Sequence, residues 1–236
     1  MSPFDKADKN SNLTFVTGTD TGVGKTVVST VLLTHFRSRG YRVRGIKPVE
    51  SGCEHDHHGQ LIPADAIALA RAAGHSTDCP FRFEAPLAPA AAALLSAQPT
   101  FNLDATLKHL EKACNNHELV IAEGAGGLLV PLTSTCSIID LVRACRARLL
   151  VVARPGLGTI NHTSLTLEAA RRRDIPTLGF VFSAPQPIDP DQITANARAI
   201  TALTQQPYLG CLGQIDEANP MAIPQSLIAA IADLLP

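Results

Sequence analysis

The sequence predicts a single α/β domain, a doubly wound and mostly parallel sheet with helices on both faces. Three observations predict it. Short aliphatic runs alternate with longer helical patterns along almost the whole chain, as successive strand–helix units do. Two of these runs, Leu119-Val120-Ile121-Ala122 and Leu149-Leu150-Val151-Val152-Ala153, are apolar on both faces, which suits central strands covered from each side. A glycine-rich turn joins the first run to the first helical stretch.

Residues 13–17 form the first strand, and a helix follows over about 25–39, ended by Gly40 just past its last turn. Residues 41–47 read as the second strand. Helices are expected over 65–73 and 103–117, then a strand at 119–122 closed by Glu123. A strand at 149–153, a helix at 159–173, a strand at 177–182 and a helix at 190–204 continue the alternation. A last strand at 209–212 and a helix at 226–235 complete it. Residues 85–99, rich in Ala and Pro, read as a loop entering a helix. No fixed-period repeat and no composition shift divides the chain, so residues 13–236 are taken as one domain.

Composition limits the function classes. In 236 residues, 45% are hydrophobic and 17% charged, which supports an apolar core and excludes general disorder. Twenty basic residues face twenty-one acidic ones, for a net charge of −1, so the basic excess that nucleic acids or anionic membranes require is missing. Eight Phe, two Tyr and no Trp argue against a base-stacking platform. The six cysteines (53, 79, 114, 136, 145 and 211) contain no CxxC pair and read as thiols of a reducing compartment. Residues 1–12 are polar, lack the apolar stretch of a secretory signal, and are expected to form a disordered tail. No apolar run approaches the roughly 20 residues of a membrane span. A cytoplasmic location is expected.

The strongest chemical signal is Val16-Thr17-Gly18-Thr19-Asp20-Thr21-Gly22-Val23-Gly24-Lys25-Thr26. It follows the first strand and opens the first helix, the setting a phosphate-binding loop needs. Main-chain N–H groups and the helix dipole favour an anion there, and glycines let it approach. Lys25 is placed to reach the β- and γ-phosphates and Thr26 to ligate Mg²⁺. The pattern departs from plain GxxxxGK[ST] because the first glycine comes one residue earlier. Glu123, at the end of a buried strand and followed by Gly124-Ala125-Gly126-Gly127, is a candidate second Mg²⁺ contact, or else a solvated strand end. Asp65, after Pro63-Ala64, is as readily a helix N-cap as a third acidic group. Lys47 closes the second strand before Pro48 and either faces the ligand crevice or is solvated there. His55-Asp56-His57-His58, beside Cys53 and Glu54, lacks metal-site spacing and reads as an exposed loop.

Together these residues resemble the dethiobiotin synthetase family, whose P-loop NTPase fold closes the ureido ring of dethiobiotin in biotin biosynthesis. The likeness runs from about Leu13 to near Ile215 through five motifs in family order. They are Thr17-Gly18-Thr19-Asp20-Thr21 leading to Val23-Gly24-Lys25-Thr26; Lys47-Pro48-Val49 with Ser51-Gly52; Asp65-Ala66; Glu123-Gly124-Ala125-Gly126-Gly127; and Leu157-Gly158 with Ile160-Asn161-His162.

The resemblance implies one P-loop ligase domain that takes 7,8-diaminopelargonic acid, CO₂ or bicarbonate, and ATP as co-substrate, with Mg²⁺. It casts Lys47, Lys25 and Thr21 as catalytic. Nucleotide contacts are implied for Gly22, Val23, Gly24, Lys25, Thr26, Val27, Asp65, Glu123, Gly124, Ala125, Gly126, Ser183 and Asp216. Thr26, Asp65 and Glu123 would hold the metal. Thr21 and Ser51 would contact substrate, and Gly158, Thr159, Ile160 and Asn161 would catch its distant carboxylate across a homodimer interface. His162 would then support that segment. Ser183 stands where the family often has Asn, which is expected to weaken selection of adenine, and Gly22 stands where Glu can occur.

Two other readings compete. An amide-forming ligase of the cobyrinic-acid a,c-diamide type would need a glutaminase domain, for which 236 residues leave no room. A nucleotide switch of the partition-ATPase class would carry a second Lys where this chain has Asp20.

Overall fold

The computed structural model describes residues 12–213 and 223–235. The elements run β1 (Leu13–Gly18), α1 (Lys25–Ser38), β2 (Val43–Ile46), β3 (Val49–Ser51), β4 (Glu54–His55), β5 (Leu61–Ile62) and α2 (Ala64–Ala73). Next come β6 (Phe81–Phe83), α3 (Pro89–Leu94), α4 (Leu103–Asn116), β7 (Leu119–Gly127), α5 (Ile138–Ala144) and β8 (Arg148–Ala153). The chain closes with α6 (Thr159–Arg171), β9 (Thr177–Ser183), α7 (Pro190–Thr204), β10 (Tyr208–Leu212) and α8 (Gln225–Ala232).

Six strands pair in the order β10-β9-β8-β1-β7-β2, every pair parallel. The two-residue period of a strand sends alternate side chains to opposite faces, and two separate cores result. Val120, Ala122, Leu149 and Val151 point to one core, with Leu110 of α4, Leu141 of α5, Leu167 of α6 and Ile200 of α7. Leu119, Ile121, Leu150 and Val152 point to the other, with Leu32 and Phe36 of α1, Leu69 of α2, and Leu227 and Ile231 of α8. The expected doubly wound sheet is therefore present. Among the described residues no helix is long and apolar enough to cross a membrane.

Local chemistry sets the boundaries. α1 stops where Gly40 adopts φ +89° and its N–H reaches the Arg37 carbonyl. α7 starts at Pro190, with the Asp189 side chain accepting the Asp191 N–H. The outer edge of β2 is covered: Gly45 N–H donates to His75 Nε2 and Lys47 N–H to the Asp78 carbonyl. Asp78 is anchored in turn by Arg44 and His109.

The structure revises several expectations. β7 does not end at Glu123. It runs on to Gly127, which pairs with Gly18 after a register shift in β1. Asn12, assigned to the tail, is anchored by bonds from its side chain to the Cys114 and His117 carbonyls. Residues 1–11 lie outside the described residues. α5 was not anticipated, although Ser137 and Asp140 form a reciprocal capping box ahead of its apolar stretch. The short pairs β3–β6 and β4–β5 were also not anticipated. His55-Asp56-His57-His58 lies on the exposed β4–β5 hairpin, where the Asp56 carboxylate accepts the His58 and Gln60 N–H groups. Cys53 and Cys79 are buried, and burial pushes their thiols up to about 11 and about 12, so both stay protonated.

Phe15, in the central strand, is fully buried and packs close to Gly124 beneath the carboxyl ends of the strands. Phe15→Ala is expected to lower unfolding free energy by about 3–5 kcal/mol, read from urea denaturation. An unchanged transition midpoint would contradict the assignment of β1 to the core.

Candidate active site

Strand order reverses about β1, so the carboxyl ends of β1 and its neighbours open a crevice where such folds receive ligands. The loop from Gly18 to Gly24 fills this position. Gly22 and Gly24 have φ of +70° and +97°, and α1 begins directly at Lys25, so the free N–H groups of its first turn face the crevice. Gly24 also lies against Ser183 at the end of β9, so closely that a Cβ would overlap the serine side chain. Lys25 is buried, and its Nζ donates to the Asp20 carbonyl at 3.1 Å. Burial, followed by the neighbouring Lys47, lowers its pKa from the ordinary lysine value.

Behind the loop stands an ionic centre. Lys47 is 2% exposed and Glu123 0% exposed. The Lys47 ammonium donates to Glu123 Oε1 at 2.7 Å, Asp65 Oδ2 at 2.7 Å and the Gly124 carbonyl at 3.2 Å, which uses its three protons. Burial disfavours the charge, yet Glu123 and then Asp65 outweigh it and raise the Lys47 pKa above the usual range. Asp65 is driven the other way: burial would raise its pKa, but Lys47 and the Thr26 hydroxyl hold it low.

Thr26 Oγ1 lies 2.9 Å from both Asp65 Oδ1 and Glu123 Oε1. One hydroxyl proton serves only one of these oxygens at a time. Glu123 Oε2 is buried and has no hydrogen-bond partner. Three hard oxygen donors thus converge with acceptor capacity unspent, a donor set that suits Mg²⁺.

Glu50 is the residue that the sequence did not single out. It is 7% exposed and its two carboxylate oxygens accept the Asp65 and Ala66 N–H groups at 2.9 and 3.0 Å. Pro63 precedes α2 and offers no side-chain cap, so Glu50 supplies one from β3. Asp65 is consequently not the cap. It sits in the first turn with its carboxylate turned to Lys47 and Thr26. Nothing in the sequence around Glu50, which stands between Val49 and Ser51, marks it for this role.

One cavity of about 420 Å³ brings together Thr21, Gly22, Gly24, Lys25, Thr26, Val27, Lys47, Ser51, Asp65, Ala125 and Gly126, with Glu50 added. Val23 and Glu123 lie buried beneath it. The segment of Gly158, Thr159, Ile160 and Asn161 is not part of this cavity. Thr159 and His162 line a separate hollow with Asp20 and Arg154, while Ile160 packs towards the core. Asp216 lies outside the described residues.

Parallel sheet, glycine loop, helix-opening Lys-Thr and an acidic residue on the neighbouring strand β7 define a P-loop nucleoside triphosphatase. Consistent with that class, a model described as an AAA domain matches residues 12–222. The fold resembles the MinC:MinD cell division complex of Aquifex aeolicus, at TM-score 0.55 and 12% identity, covering 94% of this chain and 95% of that one. It also resembles a ParA family ATPase of Chlorobium tepidum, at TM-score 0.52 and 12% identity, covering 96% and 91%. Closer likeness exists in sequence. Over 202 residues the chain is 43% identical to the ATP-dependent dethiobiotin synthetase of Anaeromyxobacter dehalogenans, covering 84% of this chain and 88% of the relative. It is 34% identical over 221 residues to that of Aquifex aeolicus, covering 92% and 94%. The chain belongs to the ATP-dependent dethiobiotin synthetase family.

Lys47→Ala leaves Glu123 buried without its cation. The variant is expected to lose about 3–5 kcal/mol of unfolding free energy. Combining it with Glu123→Gln should recover part of that loss. Equal urea midpoints for the wild type and Lys47→Ala would reject a buried ion pair at this position.

Proposed function

We propose that this chain is an ATP-dependent cyclo-ligase that carboxylates 7,8-diaminopelargonic acid with CO₂ and closes the ring to dethiobiotin, releasing ADP and phosphate. The observation that carries this reading is the Lys47 ammonium held between Asp65 and Glu123 within the cavity that the glycine loop forms. A cation at that point answers the difficulty of the reaction.

CO₂ taken up on one amine gives a carbamate. A carbamate oxygen then attacks the γ-phosphoryl group, the bond to ADP breaks, and a carbamic–phosphoric anhydride forms. The second amine attacks the anhydride carbon, phosphate leaves and the ring closes. Two anionic reactants must therefore meet within a few ångströms, and at 4 Å each like-charge pair costs about 4 kcal/mol at an effective dielectric near 20. Lys25, at the head of α1, offsets the charge of the transferring phosphoryl group, and Lys47 offsets that of the carbamate. Thr21 and Ser51, which both line the cavity, orient the substrate. Thr26, Asp65 and Glu123 would hold Mg²⁺, which would neutralise phosphate charge when bound.

A homodimer completes the site in this reading. The N-terminus of α6, expected to bind the substrate carboxylate, lines a different hollow from the cavity that holds Lys25 and Lys47. Leu129 and Leu165 are exposed along the groove that joins Thr19, Asp20 and Thr21 to α6, and Leu157 is exposed at the hollow beside it, apolar surface suited to a second copy. The protein acts in the cytoplasm.

The decisive assay follows ADP release and dethiobiotin formation with ATP and Mg²⁺. Release is expected to require both the diamine and bicarbonate, and Lys25→Ala is expected to abolish it. ADP release that is indifferent to the diamine would favour a nucleotide switch and defeat this reading.

A further inference from the structure

We propose that Glu50 is a positioning residue of the ionic centre: its carboxylate clamps the first turn of α2 and so fixes the Asp65 carboxylate between Lys47 and Thr26. This inference rests on the proposed function for its link to turnover, though not for the geometry.

The four opening N–H groups of a helix have no partner within the helix. A cap normally comes from the residue just before it, but Pro63 holds that place in α2 and its ring has no acceptor. Glu50 fills the gap from β3, fifteen residues earlier, with one oxygen on each of two successive N–H groups. Two charge-assisted bonds at adjacent positions restrict rotation of the turn as well as its translation. Asp65 is in that turn, and its own two oxygens are committed to different partners, Oδ2 to Lys47 and Oδ1 to Thr26. A small rotation of the turn breaks one or both.

Glu50 thereby ties three segments together. β3 follows Lys47-Pro48 directly and pairs with β6, so its backbone is fixed relative to Lys47. The clamp carries that register to α2, and Ser51 next to Glu50 lines the same cavity. Glu50 also lines the cavity and is nine-tenths buried, so no surface role accounts for a carboxylate there. The cation-binding oxygens and the substrate side of the cavity are set by one side chain.

The test uses the full chain. Glu50→Gln keeps the shape but puts an amide NH₂ against one of the two N–H groups, and Glu50→Ala removes the clamp. Mn²⁺ affinity in the presence of ADP, read by electron paramagnetic resonance, is expected to fall roughly 10–100-fold in both variants, with kcat lowered to a similar degree. Hydrogen exchange at the Asp65 and Ala66 amides should rise while the rest of α2 stays protected. In Asp65→Asn, adding Glu50→Gln should cause little further loss of Mn²⁺ affinity, because the clamp acts through Asp65. Unchanged Mn²⁺ affinity in Glu50→Gln, or losses that simply multiply in the double variant, would overturn the proposal. If Glu50→Ala does not fold, Glu50→Gln decides it alone. If wild-type ADP release proves independent of the diamine, the ligase reading fails, while the Mn²⁺ titration still decides the role of Glu50.

Discussion

The whole site depends on one ammonium group kept out of water. Lys47 Nζ has no solvent to fall back on, so its charge exists only because Glu123, Asp65 and the Gly124 carbonyl receive its three protons. Burying such a pair seldom adds stability over an apolar filling, since desolvation costs what attraction returns. What the centre supplies is placement. It holds a cation just past the end of β2 and two carboxylates on α2 and β7 at fixed distances, which nothing less directional would do.

The sheet makes this possible. Ile46 pairs with Ala122, so Lys47 and Glu123, the next residue on each chain segment, stand at the same height on adjacent parallel paths. Parallel register then brings them together without any loop adjustment. On the other side of Ala122, Phe15 pairs in register and leads to Gly18 and the glycine loop. The loop, the lysine and the glutamate are thus three consequences of one register. The extension of β7 through Gly127 continues the pairing beneath the loop and fixes the Gly18 end of it.

Much of this could be read before the fold was known. Lys25 and Thr26 were singled out by the glycine loop, while Lys47, Asp65 and Glu123 were candidates whose readings as a solvated end, a helix cap and a solvated strand end stayed open until the sheet brought them together. The α/β alternation was legible because buried strands such as 119–122 have no polar face to confuse the period. Three things were not. Glu50 acts by a bond to backbone N–H groups fifteen residues away, and a backbone acceptor has no sequence signature. β3 and β6 are three-residue strands, too short for a period to register. The continuation of β7 through Gly124 to Gly127 was hidden because glycine-rich sequence usually marks a turn, whereas here Phe15 crowds the Cβ position of Gly124 and Val130 that of Gly126.

The likeness to cell-division and partition ATPases at 12% identity shows a common sheet, and a sheet does not choose a reaction. The choice has to lie in the charges. Two ammonium groups, Lys25 and Lys47, stand among three carboxylates, Glu50, Asp65 and Glu123, so the side chains alone leave the cavity negative and its attraction for anions falls to main-chain N–H groups and a divalent cation. In the proposed reaction Lys47 must also free a proton for the carbamate, and all three are in use. Glu123 is the poorer partner to release it, because it is fully buried and its Oε2 has no other hydrogen-bond partner. Asp65 is half-exposed, has a second oxygen on Thr26, and is held by Glu50 through its backbone and not through its carboxylate. In the proposed reaction the exchange would therefore fall on the Lys47–Asp65 bond, with substrate taking the place of Asp65 on the ammonium.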